Sequence, residues 1–272
     1  LRYMKLMAIK KYLKIWAYCC RFSLISATTY RTAFFVELFV EFGYILWAFF
    51  LVQIIFSNVA EVAGWNRHQM FFLMGMNLVF AEIFVNLFYV WGFRTIPEKI
   101  KNGEIDFVLL KPINGLFALT TGQPYIASFL ATIPGIYMMI YSAGRLGIAT
   151  NPLNIASSVI LFLCGMVILY SLSVMVVSLS FVFLNTRFLS DIALKLSEYG
   201  QNPPPAYSHI VLKVVFFFIV PAVFMGSLPA AAIVKTVQPL YLAIGTGLAI
   251  LFLFIAIKMW NFFVRRYSSA SS

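Results

Sequence analysis

Apolar positions in this chain gather into long unbroken stretches, and the polar positions fall between them. Six stretches stand out, at about 33–57, 69–93, 115–143, 153–184, 209–228 and 238–262. A helix needs roughly 20 apolar residues to cross a bilayer, so each stretch predicts one crossing. The third and fourth are long, which predicts tilt or kinks, with Pro124 and Pro134 as kink sites in the third. Transmembrane barrels use short segments of alternating polarity, and nothing here has that form. The predicted fold is all-α: a polytopic membrane helical bundle of six transmembrane helices.

Ahead of the first stretch the pattern is different. Leu6, Ile9, Leu13, Trp16 and Cys20 recur at three- and four-residue spacing, while Lys10, Lys11, Lys14 and Arg21 take the other side. This predicts an amphipathic helix lying at the membrane interface, its lysines among headgroups. The domain reading is therefore an interfacial helix over 1–31 and a six-span domain over 32–272. No cleavable signal peptide is expected, because charges stand where an apolar core region is needed.

The fifth crossing has two readings. Residues 186–203 carry Arg187, Asp191, Lys195 and Glu198, which hydropathy reads as a loop before a crossing at 209–228. Asp191 and Lys195 are also one helical turn apart and suit a buried pair. In that version 186–203 crosses, and 209–233, broken by Pro221 and Pro229, is a re-entrant element on the outer side. Hydropathy favours the first version.

Composition agrees with a membrane protein: 62% of the 272 residues are hydrophobic, 11% are charged and 29 are Phe. The net charge of +11 raises nucleic acid as a partner, but its distribution points elsewhere. Segments 1–31, 94–111, 187–213 and 258–266 hold seven, four, three and three Lys and Arg, leaving only Arg67, Arg145 and Lys235 on the opposite side. That asymmetry is the positive-inside signal, and it predicts both termini in the cytoplasm and no nucleic-acid role. Cys19, Cys20 and Cys164 are too few for a disulfide framework and show no metal-ligand spacing with His68 or His209. No metal site and no catalytic residue is expected.

The polar segment between the second and third stretches, RTIPEKIKNGEIDFVLLKPIN from Arg94 to Asn114, is the most structured connector. Thr95 and Glu98 have capping-box spacing, Pro97 falls in the first turn, and Gly103 supplies a stop. A helix of about two turns is predicted over 95–103. Asp106 and Pro112 flank an apolar patch, Phe107 to Leu110. So short a helix is marginal alone in water, so the neighbouring spans must hold it.

The run Gly103–Asn114, G-E-I-D-F-V-L-L-K-P-I-N, resembles a signature of ABC-2-type ATP-binding-cassette permeases. In one branch of that family, Gly-x-(Leu/Ile)-Asp-x-x-Leu-(Leu/Arg)-(Lys/Arg)-Pro-(Ile/Val) follows the second span. Pro205–Tyr207, Ile219–Pro221 and Pro229 are similar to the family's late proline pattern, and they favour the re-entrant version of the fifth crossing. The triple proline at Pro203–Pro205 departs from that pattern. The resemblance implies a coupling helix made of Ile96, Pro97, Glu98, Lys99, Ile100, Lys101 and Asn102. Gly103 and Asp106 follow it, and Glu98, Lys99 and Lys101 supply polar contacts to a cytoplasmic ABC ATPase subunit. It further implies a second permease subunit, identical or sibling, a bacterial plasma (inner) membrane, and export along a path between the subunits.

No G-x-x-x-x-G-K-[ST] phosphate loop, nucleophile elbow or H-E-x-x-H occurs. The chain is therefore expected to hold no cofactor, with ATP and Mg bound by the partner ATPase. Glu82 in the second stretch and Glu37 and Glu41 in the first form a possible intramembrane polar site. They are either interhelical hydrogen-bonding groups or the carboxylates of an ion-coupled secondary transporter. The second reading lacks support from an inverted repeat or paired broken helices. Aromatic crowding in the second stretch suits a hydrophobic or amphipathic substrate.

Overall fold

A computed structural model describes residues 2–29, 31–122, 124–148, 151–183, 187–198, 200, 202–235 and 237–267. Helix α1 (Arg2–Thr29) and helix α2 (Arg31–Asn58) lead to a tight connection in which Val62 and Trp65 pair across Ala63 and Gly64. Both turn residues have positive φ, 51° and 71°. Helix α3 (Arg67–Phe84) begins with a complete capping box: Asn66 accepts from the Gln69 amide and Gln69 accepts from the Asn66 amide, each at 3.0 Å. It continues without a break as a π-helical segment, Val85–Phe93.

Two short helices follow, α4 (Ile96–Lys101) and α5 (Ile105–Leu109). Next come α6 (Gly115–Thr121), a 3-10 turn (Ile126–Ala131) and α7 (Thr132–Leu146). Helix α8 (Pro152–Ser178) is capped by Asn151 and closes in a 3-10 turn, Leu179–Phe181. Helix α9 (Arg187–Glu198) precedes a 3-10 turn at Pro204–Tyr207. Helix α10 (Ile210–Val214) passes into a π-helical stretch, Val215–Ile219. A 3-10 turn (Ala222–Met225), α11 (Ser227–Val234) and α12 (Pro239–Arg266) complete the chain.

Among the described residues three helical runs are long and apolar enough to cross a membrane: Arg67–Lys101, Pro152–Phe181 and Pro239–Arg266, of 35, 30 and 28 residues. The predicted third crossing is divided: α6 ends at Thr121, and the next helical turn among the described residues begins at Ile126. Pro124 lies between them, whereas Pro134 occupies the first turn of α7, just after the 3-10 turn. The stretch 209–228 is not one continuous helix. The chain leaves helix at Val220 (φ −124°, ψ 85°), Pro221 follows, and a short turn and α11 make a second arm.

That break occupies the centre of the bundle. Ala222, Val223, Phe224 and Met225 are each no more than 1% exposed. They fit because the facing positions are glycines. A Cβ on Gly165 of α8 would meet the Phe224 carbonyl at 2.2 Å, and one on Gly245 of α12 would meet the Phe224 ring at 2.8 Å. Helices α3 and α7 approach in the same way, through Gly75 and Gly135, each against the other's carbonyl oxygen. Close backbone approach across small residues is how apolar helices associate without a hydrophobic drive between them. Ser158 adds a buried hydrogen bond to the Pro229 carbonyl at 2.8 Å, joining α8 to α11.

Candidate coupling and transport site

The α3 rod carries the candidate lever at its tip. Only Arg94 and Thr95 separate the π-helical segment from α4. Two contacts hold the π-helical segment against its neighbours. Gly92 lies against the backbone of Thr120 on α6, where a Cβ would meet the Thr120 carbonyl at 2.8 Å. The Asn86 carbonyl accepts the Tyr125 amide at 2.8 Å, which ties the broken third segment to the rod.

The predicted capping box at Thr95 is not formed. Thr95 has helical backbone angles, and its hydroxyl donates backwards to the Trp91 and Gly92 carbonyls at 2.9 and 3.0 Å. A hydroxyl at the end of one helix has spare carbonyls above it and amides below, and here the carbonyls win. Pro97 does fall in the first turn of α4, and Gly103 follows the helix with φ +73°, the left-handed conformation that glycine adopts at least cost.

The segment has two faces. Ile96 is 0% exposed, Ile100 6% and Ile105 0%, and all three join the core that holds Ile168 and Val177 of α8 and Trp260 of α12. Glu98, Lys101 and Asn102 are exposed, while Lys99, Gly103 and Asp106 are half-buried. Burial holds the Lys99 ammonium below the ordinary lysine value, with Glu104 opposing the shift and Lys111 adding to it. Glu98 lies in the first turn and Lys99 and Lys101 in the last, the arrangement that complements the helix dipole. Next to them Phe107 and Leu110 are 73% and 82% exposed.

Two contacts fix this region. Tyr12 of α1 accepts the Asn114 amide at 3.0 Å, and its ring meets Phe117 edge-on at 4.8 Å. Lys11 donates to the Pro112 carbonyl at 3.3 Å. Helix α1 thus turns Tyr12, Trp16, Cys19 and Ser23 inward. Leu13, expected on the apolar stripe, is 60% exposed, and Leu6 and Ile9 have side chains outside the described residues. On the other flank the Tyr89 hydroxyl donates to the Asp191 carboxylate of α9. A groove of about 470 Å³ opens there between Arg94, Glu98 and Asp191.

The intramembrane carboxylates are not brought together by anything described. Glu82 is half-buried and accepts a hydrogen bond from Asn86 at 3.0 Å, one turn along its own helix. Asn77 faces Gly226 instead. The side chains of Glu37 and Glu41 lie outside the described residues. The Tyr89–Asp191 bond, between positions 102 residues apart, had no sequence signal, and for the Ala222–Met225 turn Pro221 signalled the break but nothing signalled the enclosure.

A sequence model of a protein family, described as ABC-2 family transporter protein, matches residues 42–271. No curated protein and no solved structure matches the chain.

Proposed function

Since the chain belongs to the ABC-2 family of transporter proteins, we propose that it is the membrane-spanning permease of an ATP-driven exporter. Hydrolysis of ATP takes place on a separate cytoplasmic subunit, and Ile96–Asn102 receives its motion. The observation that carries this reading is the division of the segment into an anchored face and a presented one. Ile96, Ile100 and Ile105 are fixed in the same core as α8 and α12, so α4 cannot move without moving the bundle. Glu98, Lys101 and Asn102 face outward beside Phe107 and Leu110, which offers a partner both charge and apolar area.

In this reading the bundle makes six crossings, with α4 and α5 on the cytoplasmic side. The fifth is made by α9 and the chain up to Gly200, and α10 and α11 form a re-entrant pair. Gly200 supports this version, since a Cβ there would meet the Ala222 carbonyl at 2.3 Å, which brings the end of α9 to the central turn. Two permease subunits enclose the path, and the substrate is hydrophobic or amphipathic.

The test is copurification of ATP hydrolysis with the tagged full chain from membranes. The Glu98→Lys/Lys101→Glu double variant is expected to lose most of that activity while its melting temperature stays unchanged. Equal ATPase recovery from both proteins would refute the assignment of the lever. Transport into sealed vesicles that runs on an ion gradient without ATP would instead favour the carboxylate-based reading of Glu82.

A further inference from the structure

A groove with one charged end runs along α2, at the opposite end of the α3 rod from α4. Its first part, of about 480 Å³, lies between α2, α3 and α7, with Phe42, Ile45, Phe49, Phe71 and Met138 among its walls. A second part, of about 490 Å³, shares Phe42, Ile45 and Pro134 with the first and continues to Phe39 and Leu130. The two form one apolar channel. From Phe39 to Gln53 it follows α2 for about 20 Å at 1.5 Å per residue. That exceeds half of the roughly 30 Å hydrocarbon core, so an acyl chain of one leaflet fits along it.

The channel is open on its side. Phe42 and Tyr137, on its two lips, are 56% and 67% exposed, so an occupant can enter laterally from lipid. Its polar groups gather at one end, where Gln53, Arg67 and His68 line it. Among the described residues, no carboxylate lines it. The His68 Nδ1 is buried with no hydrogen-bond partner among the described residues. Close by, the Arg145 guanidinium lies 5.5 Å from the centre of the Tyr141 ring, itself part of the lining. Cations beside an apolar slot, at the level where a helix leaves the bilayer, match a phosphate above an acyl chain.

We propose that this groove binds one anionic phospholipid of the surrounding bilayer. The headgroup lies against Arg67 and His68, and an acyl chain lies along α2 between Gln53 and Phe39. The site requires neither ATP nor the ATPase subunit, so it stands or falls independently of the coupling role of α4.

The full-length protein in phosphatidylcholine vesicles would be labelled with trace acyl-diazirine phosphatidylglycerol, and separately with acyl-diazirine phosphatidylcholine of identical chains. The expected result is at least fivefold more labelling of the α2 and α7 peptides by the anionic probe. Arg67→Gln with His68→Gln should bring that labelling down to the phosphatidylcholine level, while Arg67→Lys keeps most of it. An Ile45→Trp variant, which fills the slot but leaves the cations, should reduce labelling by both probes. Equal labelling by the two headgroups would overturn the proposal. So would unchanged labelling in the double variant. Copurifying ATPase activity, measured on the same variants, is expected to be unaffected.

Discussion

The central turn at Ala222–Met225 and the α4–α5 segment both interrupt apolar helices with proline and glycine, and they end in opposite situations. The turn is enclosed on every side, by Gly165, Gly245 and the end of α9 at Gly200. The α4–α5 segment is enclosed on one side only, by Ile96, Ile100 and Ile105, and its other side is left open. Proline and glycine do the same local work in both places, ending one helix and admitting the next. What differs is the chain around them. The turn is apolar throughout and is matched by glycines on the facing helices, whereas Glu98, Lys101 and Asn102 interrupt every apolar run in α4. A break inside the bundle fixes its packing, and a break at its edge makes a handle.

This contrast can be broken most severely at the enclosed turn. Gly165→Leu forces a side chain into the Phe224 carbonyl. Overpacking of this kind costs about 3 kcal/mol or more, read as a large fall in melting temperature in detergent and loss of monodisperse protein. Ile96→Ala should come next, since a fully buried isoleucine truncated in a core costs about 2–5 kcal/mol. Its particular signature is faster hydrogen exchange across 96–105 with the α8–α12 amides still protected. Tyr89→Phe removes the hydroxyl that meets Asp191, a change worth about 1–2 kcal/mol for a hydrogen bond to a charged group. Exchange should rise in α9 more than in α4. Smallest of all, Phe107→Ser should shift stability by less than about 0.5 kcal/mol and act only on recovery of ATPase activity. A large fall in melting temperature with Phe107→Ser would mean that the open face is closed within the chain.

Much of this was legible in the residues. The apolar runs at 153–184 and 238–262 place the starts of α8 and α12 within one residue, and their ends miss by six and four, because length is a local signal and the end of a helix is a weaker one. Pro97 and Gly103 likewise bracket α4. The failures have physical causes. Hydropathy measures how apolar a stretch is and is blind to a break within it, so it favours 209–228 as one span, while Pro221 and the late proline pattern favour a divided version; the helix does break at Val220–Pro221. Thr95 carries a hydroxyl that both donates and accepts, and spacing alone does not reveal which neighbour takes it. In α1, Trp16 and Cys20 of the apolar stripe are half-buried and Leu13 is exposed, and the half-buried Tyr12 meets Asn114, a position 102 residues away that periodicity cannot reveal. Within the candidate lever, which residues are anchored and which are presented is visible only from burial.

The π-helical segment has one more implication. Its nine residues, Val85–Phe93, are wound more loosely than the helix on either side, and the Asn86 carbonyl is shared with Tyr125 across the gap beside Pro124. Rewinding this stretch toward α by a single residue of pairing would rotate everything beyond it by about 100° and push it out by about 1.5 Å. A screw motion of this kind would have to give up the bond from the Tyr125 amide.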